Sequence, residues 1–218
     1  CYRQYFFPTQ MTKKFGHRLA IMIGAAVVAL TLAACVLPLT VPVRDNSPDE
    51  AANRYFSTLF AEHGVLWFYE PLNFIAHGAV HPRSMRLEGD FIVPVGFIGL
   101  PVLWGLLERA VGTASGAYLT PFFAALAVLA FGDAIAVFLG RRAGVFATVL
   151  LAVQPVWWYW SSRTFMPNVP FLCFLIFAFW FAASRPMSRI KSGWALFPLL
   201  DDAFAGASLA VALAIRAS

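Results

Sequence analysis

The stretch Phe91-Ile92-Val93-Pro94-Val95-Gly96-Phe97-Ile98-Gly99-Leu100-Pro101-Val102-Leu103-Trp104-Gly105-Leu106-Leu107 decides how the rest of the chain is laid out. It is wholly apolar, yet two prolines and three glycines interrupt it. Proline removes a backbone donor and collides with the preceding turn, and an interior glycine costs about 1 kcal/mol relative to alanine. Its 17 residues sit at the lower limit for crossing a bilayer. If it crosses, every later segment is inverted.

The surrounding composition makes that question pressing. The chain is 60% hydrophobic and 12% charged, far from the soluble norm. Leu19–Val43, Ala110–Gly132, Ala143–Ser162 and Thr164–Ser184 carry no charge, and each could cross about 30 Å of hydrocarbon as a helix. Lipid-exposed backbone must bond to itself, which favours helices over open strands. The expected fold is therefore all-α: a polytopic helical membrane protein with an external juxtamembrane-helix segment between spans 1 and 2.

Charge sets the orientation. Lys13, Lys14 and Arg18 precede the first apolar run, and basic residues favour the cytoplasmic side. If 91–107 crossed, Arg141-Arg142 and the group Arg185, Arg189 and Lys191 would both fall outside. As a juxtamembrane or re-entrant element it leaves both groups inside. The layout expected is a cytoplasmic N-terminus and first span over 1–43, an external segment over 44–116 and further spans over 117–218. These spans are near 117–139, 143–160 and 169–184, with a final segment from about Trp194. The first residue is Cys1 and the last apolar run stops at Ser218, so the sequence reads as a fragment lacking C-terminal spans. Leu32-Ala33-Ala34-Cys35 matches a lipoprotein cleavage box, but the apolar run continues past it, as in an uncleaved anchor.

Seven of the eleven acidic residues lie between Arg44 and Asp90, so chemistry is sought there. Ser47-Pro48-Asp49-Glu50 is a helix start, with Ser47 as N-cap, Pro48 in the first turn and Glu50 completing a capping box. Tyr55, Phe56, Leu59 and Phe60 follow at helical spacing, and Gly64 would stop an amphipathic helix of about 15 residues. Asp49 and Glu50 have a structural explanation as first-turn acids favoured by the helix dipole. Trp67-Phe68-Tyr69 and Trp157-Trp158-Tyr159-Trp160 read as interfacial anchors. His77 and His81 lack a metal-ligand pattern, whereas Arg83 and Arg86 could hold a lipid phosphate. Asp133 is expected to pair with Arg141 or Arg142. The basic excess of +5 is spread over short loops and does not signal nucleic acid. No phosphate loop, nucleophile elbow or zinc-helix motif occurs.

Asp49-Glu50 followed by Tyr55-Phe56, in an external segment after an N-in span, resembles the membrane glycosyltransferases of the GT-C superfamily. The relatives in view are protein O-mannosyltransferases and aminoarabinose transferases. Val80-His81-Pro82-Arg83-Ser84-Met85 stands where the family has a Pro-rich element. Arg163-Thr164-Phe165-Met166-Pro167-Asn168 stands where it has an external Arg-x-x-x-Asp-like stretch, with Asn168 in place of the Asp. The run Ala205–Arg216 is similar to the family's Gly-rich span with a basic end.

The resemblance implies transfer of a sugar from a polyprenyl-phosphate donor to an acceptor on the outer face of the plasma (inner) membrane. Asp49 and Glu50 would be catalytic, Asp49 taking the acceptor proton. His81, Arg83, Arg163, Asn168 and Arg216 would bind substrate, with the arginines facing the departing phosphate. A divalent metal is left open. The partners implied are the lipid-linked donor, membrane lipids and an acceptor that is a protein, lipid or glycan. A transporter or channel fragment and a noncatalytic assembly protein stand as alternatives.

Overall fold

The computed structural model describes residues 45–183 and 196–216. The expected first span, the Cys35 box and the basic groups at 13–18 and 185–191 lie outside the described residues. The architecture is mostly helical. Helix α1 (Pro48–His63) is followed by β1 (Phe68–Tyr69), a single turn α2 (Leu72–Ile75), the strands β2 (Met85–Glu88) and β3 (Phe91–Pro94), and α3 (Gly99–Val111). Five longer or bent helices complete it: α4 (Gly116–Leu139), α5 (Arg141–Ala152), α6 (Pro155–Ser161), α7 (Asn168–Ala183) and α8 (Leu196–Ile215).

Helix α1 begins and ends on its capping residues. The Ser47 hydroxyl accepts from the Glu50 amide at 3.3 Å, and Gly64 adopts the left-handed conformation, φ 72°, while its N–H bonds Phe60 O. Glu50 reaches back as expected of a capping box, but to the amide of Asn46, at 2.7 Å, instead of Ser47.

One face of α1 does not lie open. Ala52 and Phe56 pack with Met85 and Ile92 of the sheet, while Gly105 of α3 brings that helix against the Ser57 carbonyl and Phe60.

The sheet is the feature the all-helical expectation for 44–116 omits. Its order is β1-β3-β2, antiparallel throughout, with Leu87 opposite Ile92 and Glu88 opposite Phe91. Gly89-Asp90 makes the tight turn, Gly89 at positive φ. Met85 and Ile92 point inward; Arg86, Glu88 and Phe91 are exposed.

The stretch 91–107 is thus not one helix. It is a strand, an irregular bend at Val95–Ile98 and the first nine residues of α3. The 13-residue α3 is about 20 Å long. Pro101 falls in its first turn, where its missing N–H leaves no bond unmade.

Thr113–Leu139, a 3-10 turn running into α4, is the one helix among the described residues long and apolar enough to cross a membrane. The single helix expected over 143–160 is two, α5 and α6, bent by 60°. Pro155 begins α6 and holds Gln154 extended, ψ 116°. The pairing expected for Asp133 is also corrected, since its carboxylate accepts from Trp180 Nε1 at 2.8 Å. Helix α4 packs on α7 through Ala124, Ala127, Val128, Val169 and Cys173, with Trp157 of α6 beside them. A second cluster, Leu100, Trp104, Phe165 and Ile215, ties α3 to α8 and to the α6–α7 connection.

Candidate functional site

Several helix ends meet at one place. The N-termini of α1, α3 and α7, the C-terminus of α8 and the connection Ser162–Pro167 surround a cavity of about 420 Å³. Gly99 makes the meeting possible, because a side chain there would fall 2.3 Å from the Ala214 backbone. Asp49, Asn53, Ser84, Asn168 and Arg216 supply the polar lining. Val95, Phe97, Leu100, Met166 and Ile215 supply apolar wall.

Asp49 sits in the first turn of α1, exposed, and its carboxylate accepts a short hydrogen bond from the Ser84 hydroxyl. Ser84 has φ 71°, an unusual conformation for a residue with a Cβ and one that places the hydroxyl against Asp49. Arg216, the residue after α8, donates to Asn168 Oδ1 at the start of α7. A carboxylate and a guanidinium thus line the same cavity, the one held by Ser84 and the other by Asn168.

Glu50 is placed differently from its neighbour. It is 4% exposed, it is not part of the lining, and its carboxylate lies 3.4 Å from Arg163 Nε. Arg163 also lies over the rings of Tyr159 and Trp160, 5.3 and 5.5 Å from their centroids. The pair bolts the start of α1 to the connection behind the cavity. His81 and Arg83 are exposed and do not line it; the nearest polar contact of His81 is Nδ1 to Pro82 O at 3.4 Å.

The connection 162–167 acts as a strap. Trp104 Nε1 donates to Thr164 O at 3.2 Å, and Thr120 donates to the same buried carbonyl. Asn53 Nδ2 donates to Phe165 O at 2.9 Å. Sequence reasoning singled out none of Asn53, Trp104 and Thr120. Asn53 alone left a signal, being four residues after Asp49 and so on the same face of α1.

No group of three or more His, Cys, Asp or Glu able to hold a metal occurs among the described residues. The arrangement offers a hydrogen-bonded carboxylate, a cation held by an amide oxygen, and an apolar wall. It suits an amphiphile with an anionic group and hydroxyls. No family model, no curated protein and no solved structure matches the chain.

Proposed function

We propose that the protein is a membrane glycosyltransferase of the GT-C type, with the cavity taking a polyprenyl-phosphate-linked sugar and an acceptor hydroxyl on the extracytoplasmic face. The observation that carries this reading is that Asp49 and Arg216, near opposite ends of the described chain, line one cavity. The position of Arg141 and Arg142 supports it. They follow the far end of α4, about 36 Å along that helix from its first turn, so a cytoplasmic location for them puts the cavity outside.

In this mechanism Asp49 orients the acceptor hydroxyl and takes its proton as the oxygen attacks the anomeric carbon. The bond between that carbon and the phosphate oxygen breaks, and the lipid phosphate leaves with the electron pair. Arg216 faces the developing charge. Val95, Phe97 and Leu100 give the lipid stem an apolar surface. Glu50 acts as a positioning residue through Arg163 and the strap.

The test is transfer from radiolabelled polyprenyl-phosphate hexose and pentose donors by the full chain in nanodiscs. Donor-dependent turnover that disappears in D49N, with insertion intact, is expected. Failure to bind or consume any such donor overturns the reading.

The bent pair α5–α6 favours one alternative, a transporter, because broken helices line substrate paths in that class. Sugar flux into sealed vesicles without transfer would establish it.

A further inference from the structure

Glu108 is a buried acid to which the transfer reaction gives no task. It sits near the end of α3 at 1% exposure. Oε2 receives one long hydrogen bond from the Thr58 hydroxyl, 3.5 Å, and Oε1 has no partner among the described residues. A side chain built on Gly116 would come 2.1 Å from Glu108 Oε1 and 2.8 Å from Phe165 Cζ. The acid, the first turn of α4 and the strap therefore meet at one point. Ser115, next to Gly116, carries another buried hydroxyl without a partner among the described residues.

Among the described residues no cation is placed to neutralise it. From α1 the facing group is Glu62, of like charge, itself 3.8 Å from His63. The turn Thr113–Ser115 brings no titratable group, and the first turn of α4 brings only Tyr118, 45% exposed. Arg109, beside it on α3, is exposed, and Arg163 of the strap is engaged by Glu50. Burial pushes the Glu108 carboxyl up to about 7, the Thr58 bond opposing and Glu62 adding to the rise.

We propose that Glu108 is a proton-operated latch on the strap that lines the cavity. Neutral, it lets α1, α3 and α4 close beneath Phe165. Ionised, it places an uncompensated charge in that junction, the junction loosens, and Phe165 moves with it. The movement reaches the cavity because Asn53 of the lining holds Phe165 O, and Met166, the next residue, lines it as well. This inference stands on the geometry of the strap and not on the transfer reaction.

The experiment uses the full chain in nanodiscs, its native cysteines replaced, with Met166→Cys as reporter. Maleimide labelling is followed with and without E108Q. Dividing one rate by the other at each pH cancels ionisation of the reporter thiol. The parent should label as E108Q does at about pH 5, and about threefold or more faster at about pH 8.5. A ratio that stays flat across that range overturns the proposal, as does an equal rise in E108Q. Should E108Q fail to insert, E108M provides a second neutral side chain of similar volume. Since no donor or acceptor is present, the outcome is separate from whether the protein transfers sugar.

Discussion

The two ends of the helical layer are held together by different chemistry. At the cavity end, polar side chains bridge elements far apart in the chain: Ser47 to Met166 at 3.6 Å, Asn53 to Phe165 O, Glu50 to Arg163 and Arg216 to Asn168. At the other end, rings stack: Phe138 on Phe179 at 5.8 Å and Phe181 on Phe204 at 5.3 Å, with Trp180 on Asp133. Stacked rings tolerate lateral sliding, since offset arrangements over a range of centroid distances are all favourable. Hydrogen bonds and ion pairs fix angle and distance, and leave a costly orphan when one partner goes. The contrast teaches that precision is concentrated around the cavity that Asp49 and Arg216 line.

The largest effect should come from the cavity end. Asp49→Asn removes the proton acceptor but keeps the contact with Ser84, and turnover should fall about 1000-fold, about 4 kcal/mol in the barrier, with the same unfolding midpoint. Normal turnover in D49N with lost donor binding would instead make Asp49 a binding group. Glu50→Ala leaves the Arg163 side chain, 15% exposed, without its carboxylate. It should cost about 3 kcal/mol of stability, measured as a lower denaturation midpoint in detergent, and activity should fall with it.

Glu108 ranks next, and its sign can be worked out. An acid whose folded value is raised, here from 4.5 to about 7, favours folding while protonated. That stability is fully present below about pH 4.5 and is lost as pH rises through about 7, by about 3 kcal/mol at most. Unfolding midpoints should fall over this window in the parent and stay level in E108Q. Parallel curves would show that the acid is already ionised or solvated.

The helices of this layout were legible because long uncharged runs have few other solutions in lipid or in a core. The boundaries of α1 were legible because Ser47, Pro48 and Gly64 act locally. The sheet was not, because its strands are two to four residues long and carry little period-two signal. The hairpin cue was Gly89-Asp90 between Leu87 and Ile92. The bend between α5 and α6 was written in Pro155 but lost inside an otherwise uniform apolar run. Asp49, Asn168 and Arg216 could be nominated from the sequence. That Glu50 and Arg163 touch each other, and that Trp104 and Thr120 share one carbonyl, depends on packing between distant segments and leaves no local pattern.

The strap provides a finer test of the contrast. Asn53→Ala and Thr120→Val each remove one donor from a carbonyl behind the cavity, at about 1 kcal/mol apiece. For Thr120→Val the loss should be softened, because Trp104 still donates to Thr164 O at 3.2 Å. Among the described residues, Asn53 supplies the one side-chain donor to Phe165 O, so Asn53→Ala should raise the KM for donor more than Thr120→Val does. Equal effects would mean that the strap is fixed by Phe165 packing and not by its carbonyls.

The smallest effect should come from Asp133→Asn at the far end. The substitution keeps an oxygen for Trp180 Nε1 to donate to and removes a charge from a half-buried position, two terms that oppose each other. A change within about 0.5 kcal/mol in stability is expected, with turnover unaltered, because no residue of α4 lines the cavity. A drop in turnover at constant stability would mean that the far end transmits to the cavity through α4 or α7. It would also break the division of labour drawn between the two ends.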